Sequence, residues 1–361
     1  MKLGFGLMRL PKKGIITDIK QTSKMVDMFL EAGGTYFDTA YVYPGSEDAT
    51  RKALVERHPR ESFTLATKVN ASVALNEKMA KGQLETSLKR TGAGYFDYYL
   101  LHSLMERNFG RYDKFNLWDF VKEEKAAGRI KNYGFSFHGG PELLDKLLTE
   151  HPDVDFIQLQ INYCDWESPK VKSRENYEVA RKHNVPIVVM EPVKGGKLAD
   201  PPERVKEVFD KSGIPGSYAS WAVKFAASLD GILSVLSGMS NVEQMQDNLS
   251  YMKTFTGFTD EEKAVILEAQ KSFNEVKSIP CTGCGYCLEG CPQQIKIPQI
   301  FAARNEQLEF GRIDEGIKKY EKATADSAKA GDCIGCGQCE NACPQHIDII
   351  EKLKSCSETF D

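Results

Sequence analysis

The sequence predicts an α/β chain: a closed (β/α)8 TIM barrel followed by a small cysteine-rich domain. Eight short runs of β-branched and aromatic residues alternate with amphipathic stretches, the rhythm of eight strand–helix units in roughly 250 residues. No G-x-G-x-x-G follows the first run, although an open doubly wound sheet would normally show one there. Eight of the ten cysteines are confined to Cys281–Cys343.

The runs begin at Leu3 (LGFGLMRL), Thr35 (TYFDTA), Phe63 (FTLATKV), Tyr95 (YFDYYLLHS), Lys131 (KNYGFSFH), Asp155 (DFIQLQINY), Pro186 (PIVVMEP) and Gly231 (GILSVLSG). Helical segments separate them. DIKQTSKMVDMFLEAGG follows the first, and LWDFVKEEKAAGR follows the fourth, ending at Gly128, a suitable residue just past a helix. A further helix is expected near Asp260–Phe273. Composition changes abruptly at Ser278-Ile279-Pro280, so the domains are read as 1–270 and 271–361.

The 361 residues, with 41% hydrophobic and 27% charged, exclude wholesale disorder. A formal charge of −4 offers nothing to nucleic acid or an anionic membrane. No apolar run approaches the ~20 residues of a membrane span. The start, MKLGFGLMRLP, lacks the apolar core of a signal peptide, and a secreted disulfide scaffold would spread its cysteines through the fold. The cytoplasm is the expected compartment. Residues 271–361 hold 11 Lys/Arg against 14 Asp/Glu, a hint that the tail docks a partner.

The tail is an internal repeat. CTGCGYCLEGCP at Cys281 returns as CIGCGQCENACP at Cys333, with a helical insert expected between, roughly Pro298–Lys329. Each copy reads C-x2-C-x2-C-x3-C-P. Three thiolates two residues apart can wrap one face of a cubane, and Gly283, Gly285, Gly335 and Gly337 let the loops turn tightly. Zinc also takes C-x2-C pairs, but the doubled spacing with its trailing proline is far more specific. Cys164 and Cys356 have no partner spacing and read as structural or incidental thiols. The tail resembles a bacterial two-cluster ferredoxin with a longer insert. That resemblance implies two 4Fe–4S clusters, one on Cys281, Cys284, Cys287 and Cys343, the other on Cys333, Cys336, Cys339 and Cys291.

In a barrel of this kind chemistry belongs at the carboxyl ends of the strands. The second strand ends at Asp38, with Tyr43 in the loop beyond; the third ends at Lys68 and the fourth at His102. A phenol with a pKa near 10 gives up its proton reluctantly, and a neighbouring ammonium makes it easier. Lys68 can supply that charge, Asp38 can hold Lys68, and His102 can hydrogen-bond a substrate oxygen. Together they form a proton donor aimed at a carbonyl under reduction. Each residue alone has a structural reading; four on adjacent strands favour chemistry.

The segments FDTAYVYPGSE, LATKV, DYYLLHS and SGMSNVEQMQDNL resemble the aldo-keto reductase family over roughly residues 1–255. The whole chain resembles the iron–sulfur aldo/keto reductases, which carry a C-terminal dicluster domain. By that resemblance Tyr43 is the general acid, Lys68 and Asp38 tune it, and His102 orients substrate. NAD(P)H would lie across the barrel top at Ser136, Gln158, Gly238, Met239, Gln244 and Asn248. A capping box at Ser240-Asn241-Val242-Glu243 would open a helix there, whose free N–H groups suit a phosphate; that phosphate could equally belong to a flavin such as FMN.

The chain departs from the family pattern in places. Phe137 stands where an asparagine usually holds the carboxamide, and Met190 where an aromatic usually stacks on nicotinamide. Gly238 and Gln244 replace basic residues that often bind the 2′-phosphate, and the usual amino-terminal hairpin is missing. Glu191 and His138 also face the mouth by strand order. The loop 103–116, with Met105, Phe109, Tyr112 and Phe115, is expected to shape a pocket for a small-molecule substrate.

Two functions follow. One is an oxidoreductase reducing a carbonyl or related unsaturated molecule, with electrons from NAD(P)H, from the clusters or from a redox partner such as ferredoxin. The other is an electron-transfer module whose barrel docks or senses a ligand.

Overall fold

The computed structural model describes all residues, 1–361. Eight parallel strands close a barrel: β1 (Leu3–Gly6), β2 (Tyr36–Asp38), β3 (Thr64–Val69), β4 (Phe96–Leu104), β5 (Ile130–Phe137), β6 (Phe156–Gln160), β7 (Ile187–Met190) and β8 (Ile232–Ser237). β1 pairs with β8 on one side (Phe5↔Ser237) and with β2 on the other (Gly6↔Asp38). A two-stranded antiparallel ribbon, Lys12–Lys13 with Ile16–Thr17, follows β1. No helix is long and apolar enough to cross a membrane.

The first helix, Ile19–Glu31, shows how sequence becomes packing. Asp18 caps it by accepting from the Gln21 amide at 3.1 Å. Its buried stripe, Met25, Val26 and Phe29, recurs at helical spacing. Phe29 meets Phe37 edge-on at 5.2 Å and Phe5 at 5.9 Å, fixing the helix against β1 and β2. The helix expected before Gly128 runs Leu117–Ala126, and Gly128 takes φ +74° beyond it.

The barrel interior is layered because side chains alternate along a strand. Tyr36, Ala66, Leu100, Phe156, Val188 and Leu236 form one buried layer. Two residues further along the same strands stand Asp38, Lys68, His102, Gln158, Met190 and Gly238. One layer is apolar packing, and the next carries four polar side chains, Asp38, Lys68, His102 and Gln158.

The chain divides into two compact units. The first holds Met1–Glu167, Lys172–Pro192 and Ala219–Phe258, and so all eight strands. The second holds Thr259–Asp361 together with Ser168–Val171 and Val193–Tyr218. The helix Asp260–Asn274 opens with a capping box, Thr259 with Glu262. The insert between the cysteine repeats is two helices, Ile297–Phe310 and Ile313–Thr324. The core of this unit is Ile279, Ile295, Ile300, Phe301, Tyr320 and Leu353, and it includes Cys356. Burial raises the Cys356 thiol to about 11, and it lines neither cysteine-rich cavity.

Candidate active site and cluster sites

Lys68 is fully buried, and its Nζ donates to Asp38 Oδ1 at 2.6 Å and to the Thr39 carbonyl at 2.7 Å. Asp38 Oδ2 accepts from Gln158 Nε2 at 3.3 Å. A second buried carboxylate, Glu47, accepts from Thr67 Oγ1 at 2.8 Å and adds negative potential at Lys68. The Lys68 ammonium lies 5.1 Å from the centre of the Tyr43 ring. Tyr43 in turn meets the His102 ring edge-on, 5.8 Å between centroids. The loop that presents Tyr43 is tied down locally: Tyr43 N donates to the Ala40 carbonyl at 3.0 Å, and Ser46 N to the Tyr43 carbonyl at 3.1 Å. Ser46 Oγ then donates to the Leu7 carbonyl at 2.9 Å. The four residues of the mouth are thus gathered in one place, Tyr43 partly exposed and the others buried.

Burial is the dominant electrostatic influence. It lowers the pKa of Lys68 and raises that of Asp38, each opposed by the other's charge. It also holds His102 well below its ordinary value, helped by the charges of Lys68 and His138. His102 is therefore neutral near pH 7, able to hydrogen-bond a carbonyl oxygen.

The sign of the stability effect follows. The unfolded chain binds the His102 proton first as pH falls through about 6.5. Stability is thus expected to drop below that pH. His102→Gln should flatten the slope by up to roughly 1.4 kcal/mol per pH unit. Anaerobic melting of both proteins between pH 5 and 7.5 checks this, and parallel slopes would contradict it.

On the cofactor side, Ser136 and Gln158 face each other in the β5–β6 register. Ser136 Oγ accepts from the Ser103 amide at 2.6 Å. Beyond β8, Met239 is buried and Gly238 is exposed. The helix Val242–Met252 opens one residue later than the sequence suggested. Its N-cap is Asn241, whose Oδ1 accepts from Gln244 N at 2.8 Å. Ser240 instead donates Oγ–H to the Arg9 carbonyl at 2.7 Å, and its N–H goes to Gln244 Oε1 at 2.7 Å. Asn248 is buried and engaged inside its own helix, with Gln244 O at 2.7 Å and the Tyr251 hydroxyl at 2.6 Å.

Several other residues stand differently from expectation. Met105, Tyr112 and Phe115 are buried in packing rather than exposed in a pocket wall. The Tyr112 hydroxyl donates to the His102 carbonyl. Phe109 lies under the Lys146 ammonium, 5.0 Å from its ring centre. Phe137 is buried and edge-on to Phe135, because strand alternation turns it away from the layer that holds Ser136. Arg9 escaped the sequence reading: its guanidinium is 3.9 Å from Glu191. The two are 182 positions apart, and no local spacing announces the pair.

In the second unit the cysteines ring two cavities. Cys281, Cys284, Cys287 and Cys343 line one. Cys291, Cys333, Cys336 and Cys339 line another. Each cavity is therefore completed by the fourth cysteine of the opposite repeat, and Ile297 lines both. No trio of donors draws together tightly enough to hold a single ion. Gly283, Gly285, Gly335 and Gly337 take φ of +67°, +83°, +69° and +75°, which turns the loops around the thiols. Burial first, then Cys284, Cys281 and Cys343, pushes the Cys287 thiol up to about 12. Gly195 lies against the first cysteine loop: a Cβ there would stand 2.4 Å from the Thr282 carbonyl oxygen.

Comparison with known proteins places these features. The aldo/keto reductase family model matches residues 2–271, and a 4Fe-4S dicluster domain model matches 280–347. An aldo-keto reductase of Mycolicibacterium smegmatis is 28% identical over 51% of this chain and 64% of its own length. A 9,11-endoperoxide prostaglandin H2 reductase of Trypanosoma cruzi is 27% identical over 53% of this chain and 65% of its own. The chain thus spans less than two thirds of the length of these curated relatives. Among solved structures, the holo form of an aldo-keto reductase of Bacillus halodurans superposes with a TM-score of 0.61 at 25% identity, covering 75% of this chain and 92% of that one.

Proposed function

The chain belongs to the aldo/keto reductase family, and from that premise we propose that it reduces a carbonyl or related unsaturated small molecule at the barrel mouth, with Tyr43 as proton donor. The observation that carries this reading is the buried Lys68–Asp38 pair at 2.6 Å, with its ammonium 5.1 Å from the Tyr43 ring centre.

A phenol between a buried ammonium and a neutral imidazole has what a general acid for a carbonyl needs. As negative charge develops on the substrate oxygen, Tyr43 Oη delivers its proton there. The Lys68 ammonium stabilises the phenolate left behind, and Asp38 keeps that ammonium in place. His102 hydrogen-bonds the same oxygen and orients the carbonyl. NAD(P)H, when bound, supplies the hydride that completes the two-electron reduction. Gly6 and Gly238 fit it: a Cβ on Gly6 would lie 3.7 Å from Gly238 N. Neither carries a side chain, and Gly238 lies four residues before the first residue of the Val242–Met252 helix, whose N-terminus suits a phosphate. Ser136, Gln158, Met239, Gln244 and Asn248 complete that proposed site.

We assign the two cysteine-lined cavities to two 4Fe–4S clusters, with the ligand sets named above. The donor set of each cavity is four thiols drawn from both repeats, the ligation a 4Fe–4S cluster takes. When present, the clusters supply one-electron transfer. Cys336 is exposed and its neighbour Ile334 is 61% exposed. The second set therefore offers the accessible edge for a small redox partner such as a ferredoxin.

A second reading keeps the clusters and drops nicotinamide catalysis. It is favoured by Phe137, packed away from the mouth, and by Met190 in place of a stacking ring. An anaerobic titration separates the two. Saturable binding of NADH or NADPH, with substrate-dependent oxidation of the bound nucleotide, is expected. Absence of nucleotide binding, with bleaching by dithionite or reduced ferredoxin only, would favour the second reading. The same spectra report any bound flavin.

A further inference from the structure

His102 owes its place to a main-chain irregularity. β4 and β5 run in register from Phe96↔Ile130 to Leu101↔Phe135, and then the register slips, so that Leu104 pairs with Phe137. One extra residue is therefore accommodated in β4 at His102–Ser103. Bulges of this kind re-aim a side chain and recur beside active sites. This one has an energetic cost, because Ser103 takes φ +61°, a left-handed conformation that a residue with a Cβ adopts reluctantly.

Three side chains grip the irregular segment, two from the short helix Phe109–Lys114 and its N-cap and one from β5. The Tyr112 hydroxyl donates to the His102 carbonyl. Ser136 Oγ accepts from Ser103 N at 2.6 Å. Asn108 Nδ2 donates to the Ser103 carbonyl at 2.8 Å, while its Oδ1 accepts from Met105 N at 2.9 Å. The consecutive polar groups His102 C=O, Ser103 N–H and Ser103 C=O are thus all held by side chains, where a regular strand would use its neighbours. The Tyr112 oxygen also accepts from Ala71 N at 3.4 Å. Ala71 lies three residues beyond Lys68, so one buried phenol ties the exit of the lysine strand to the exit of the histidine strand.

We propose that Tyr112, Asn108 and Ser136 are positioning residues that hold the strained His102–Ser103 bulge and so aim the His102 imidazole into the mouth. The proposal rests on the reading of His102 as the substrate-orienting group. Ser136 keeps its own hydroxyl proton while accepting from Ser103, so this role is compatible with a cofactor contact. None of the three needs to touch the reacting atoms.

The strain supplies a discriminating test, because glycine adopts the left-handed conformation without side-chain crowding. Asn108→Ala in the cluster-loaded protein is expected to lower kcat by roughly 10–100-fold, the scale of a misplaced reacting group. The imidazole resonances of His102 should shift at the same time, with the melting profile of the chain retained. Adding Ser103→Gly to that variant should restore most of kcat and return the resonances. Tyr112→Phe keeps the buried ring and should show the same fall, unrescued by Ser103→Gly because a different polar group is released. Unchanged kcat and unchanged His102 resonances in both single variants would overturn the proposal. So would failure of Ser103→Gly to restore Asn108→Ala. If His102→Gln itself retains full kcat, the substrate-orienting reading falls. The resonance shift in Asn108→Ala still decides the clamp.

Discussion

Replacing Tyr43 by phenylalanine is expected to lower kcat for carbonyl reduction by about 10²–10⁴-fold, the usual contribution of a positioned general acid. The ring remains, so its edge-on contact with His102 at 5.8 Å and its place beside the Lys68 ammonium at 5.1 Å should survive. Only the transferable proton is lost. Nucleotide affinity, iron and acid-labile sulfide should therefore stay at wild-type levels, because Tyr43 lies in the barrel unit and the cysteines in the other. The decisive measurement is single-turnover oxidation of bound NAD(P)H by a carbonyl substrate. A variant that turns over at the wild-type rate would remove Tyr43 as the acid.

The second large effect is on stability. Lys68→Met should destabilise the barrel by about 3–5 kcal/mol, because it strands the buried Asp38 carboxylate without its ion partner. Asp38 would retain only the Gln158 amide at 3.3 Å. Removing both charges should be milder. Lys68→Met combined with Asp38→Asn is expected to recover most of the lost stability, since no uncompensated charge then remains. Activity should not recover with it, because the ammonium proposed to stabilise the Tyr43 phenolate is still missing. The double-mutant cycle, read by unfolding and by kcat on the same four proteins, separates folding from chemistry. Additive losses in stability would show that the pair is not coupled.

Much of this was legible from the chain alone. The eight alternating runs all became barrel strands, because a strand buried on both faces must be short and apolar and must be followed by its crossover helix. Asp38, Lys68 and His102 could be read from near the strand ends, because alternation by two carries each strand from its apolar layer to the mouth, although β3 runs on to Val69 and β4, past its bulge, to Leu104. The cysteine loops were legible because ligand spacing within a loop is a local property. The helix start beyond β8 was misplaced by one residue. Ser240 and Asn241 are both good caps, and Ser240 is diverted to the Arg9 carbonyl beyond the neighbouring strand β1, a competition that no local pattern contains.

What the amino-acid order determined by itself was therefore periodic or local: strand number, the residues at strand ends, and the thiol spacing of each repeat. Tertiary structure alone decided what depends on distant partners. It set Arg9 against Glu191, committed Tyr112 to the His102 carbonyl instead of a pocket wall, and gathered Val193–Tyr218 into the unit that carries the cysteines. The reason is physical. Periodicity reports which face of an element is buried, whereas a buried polar group takes whichever partner the closed fold brings within about 3 Å.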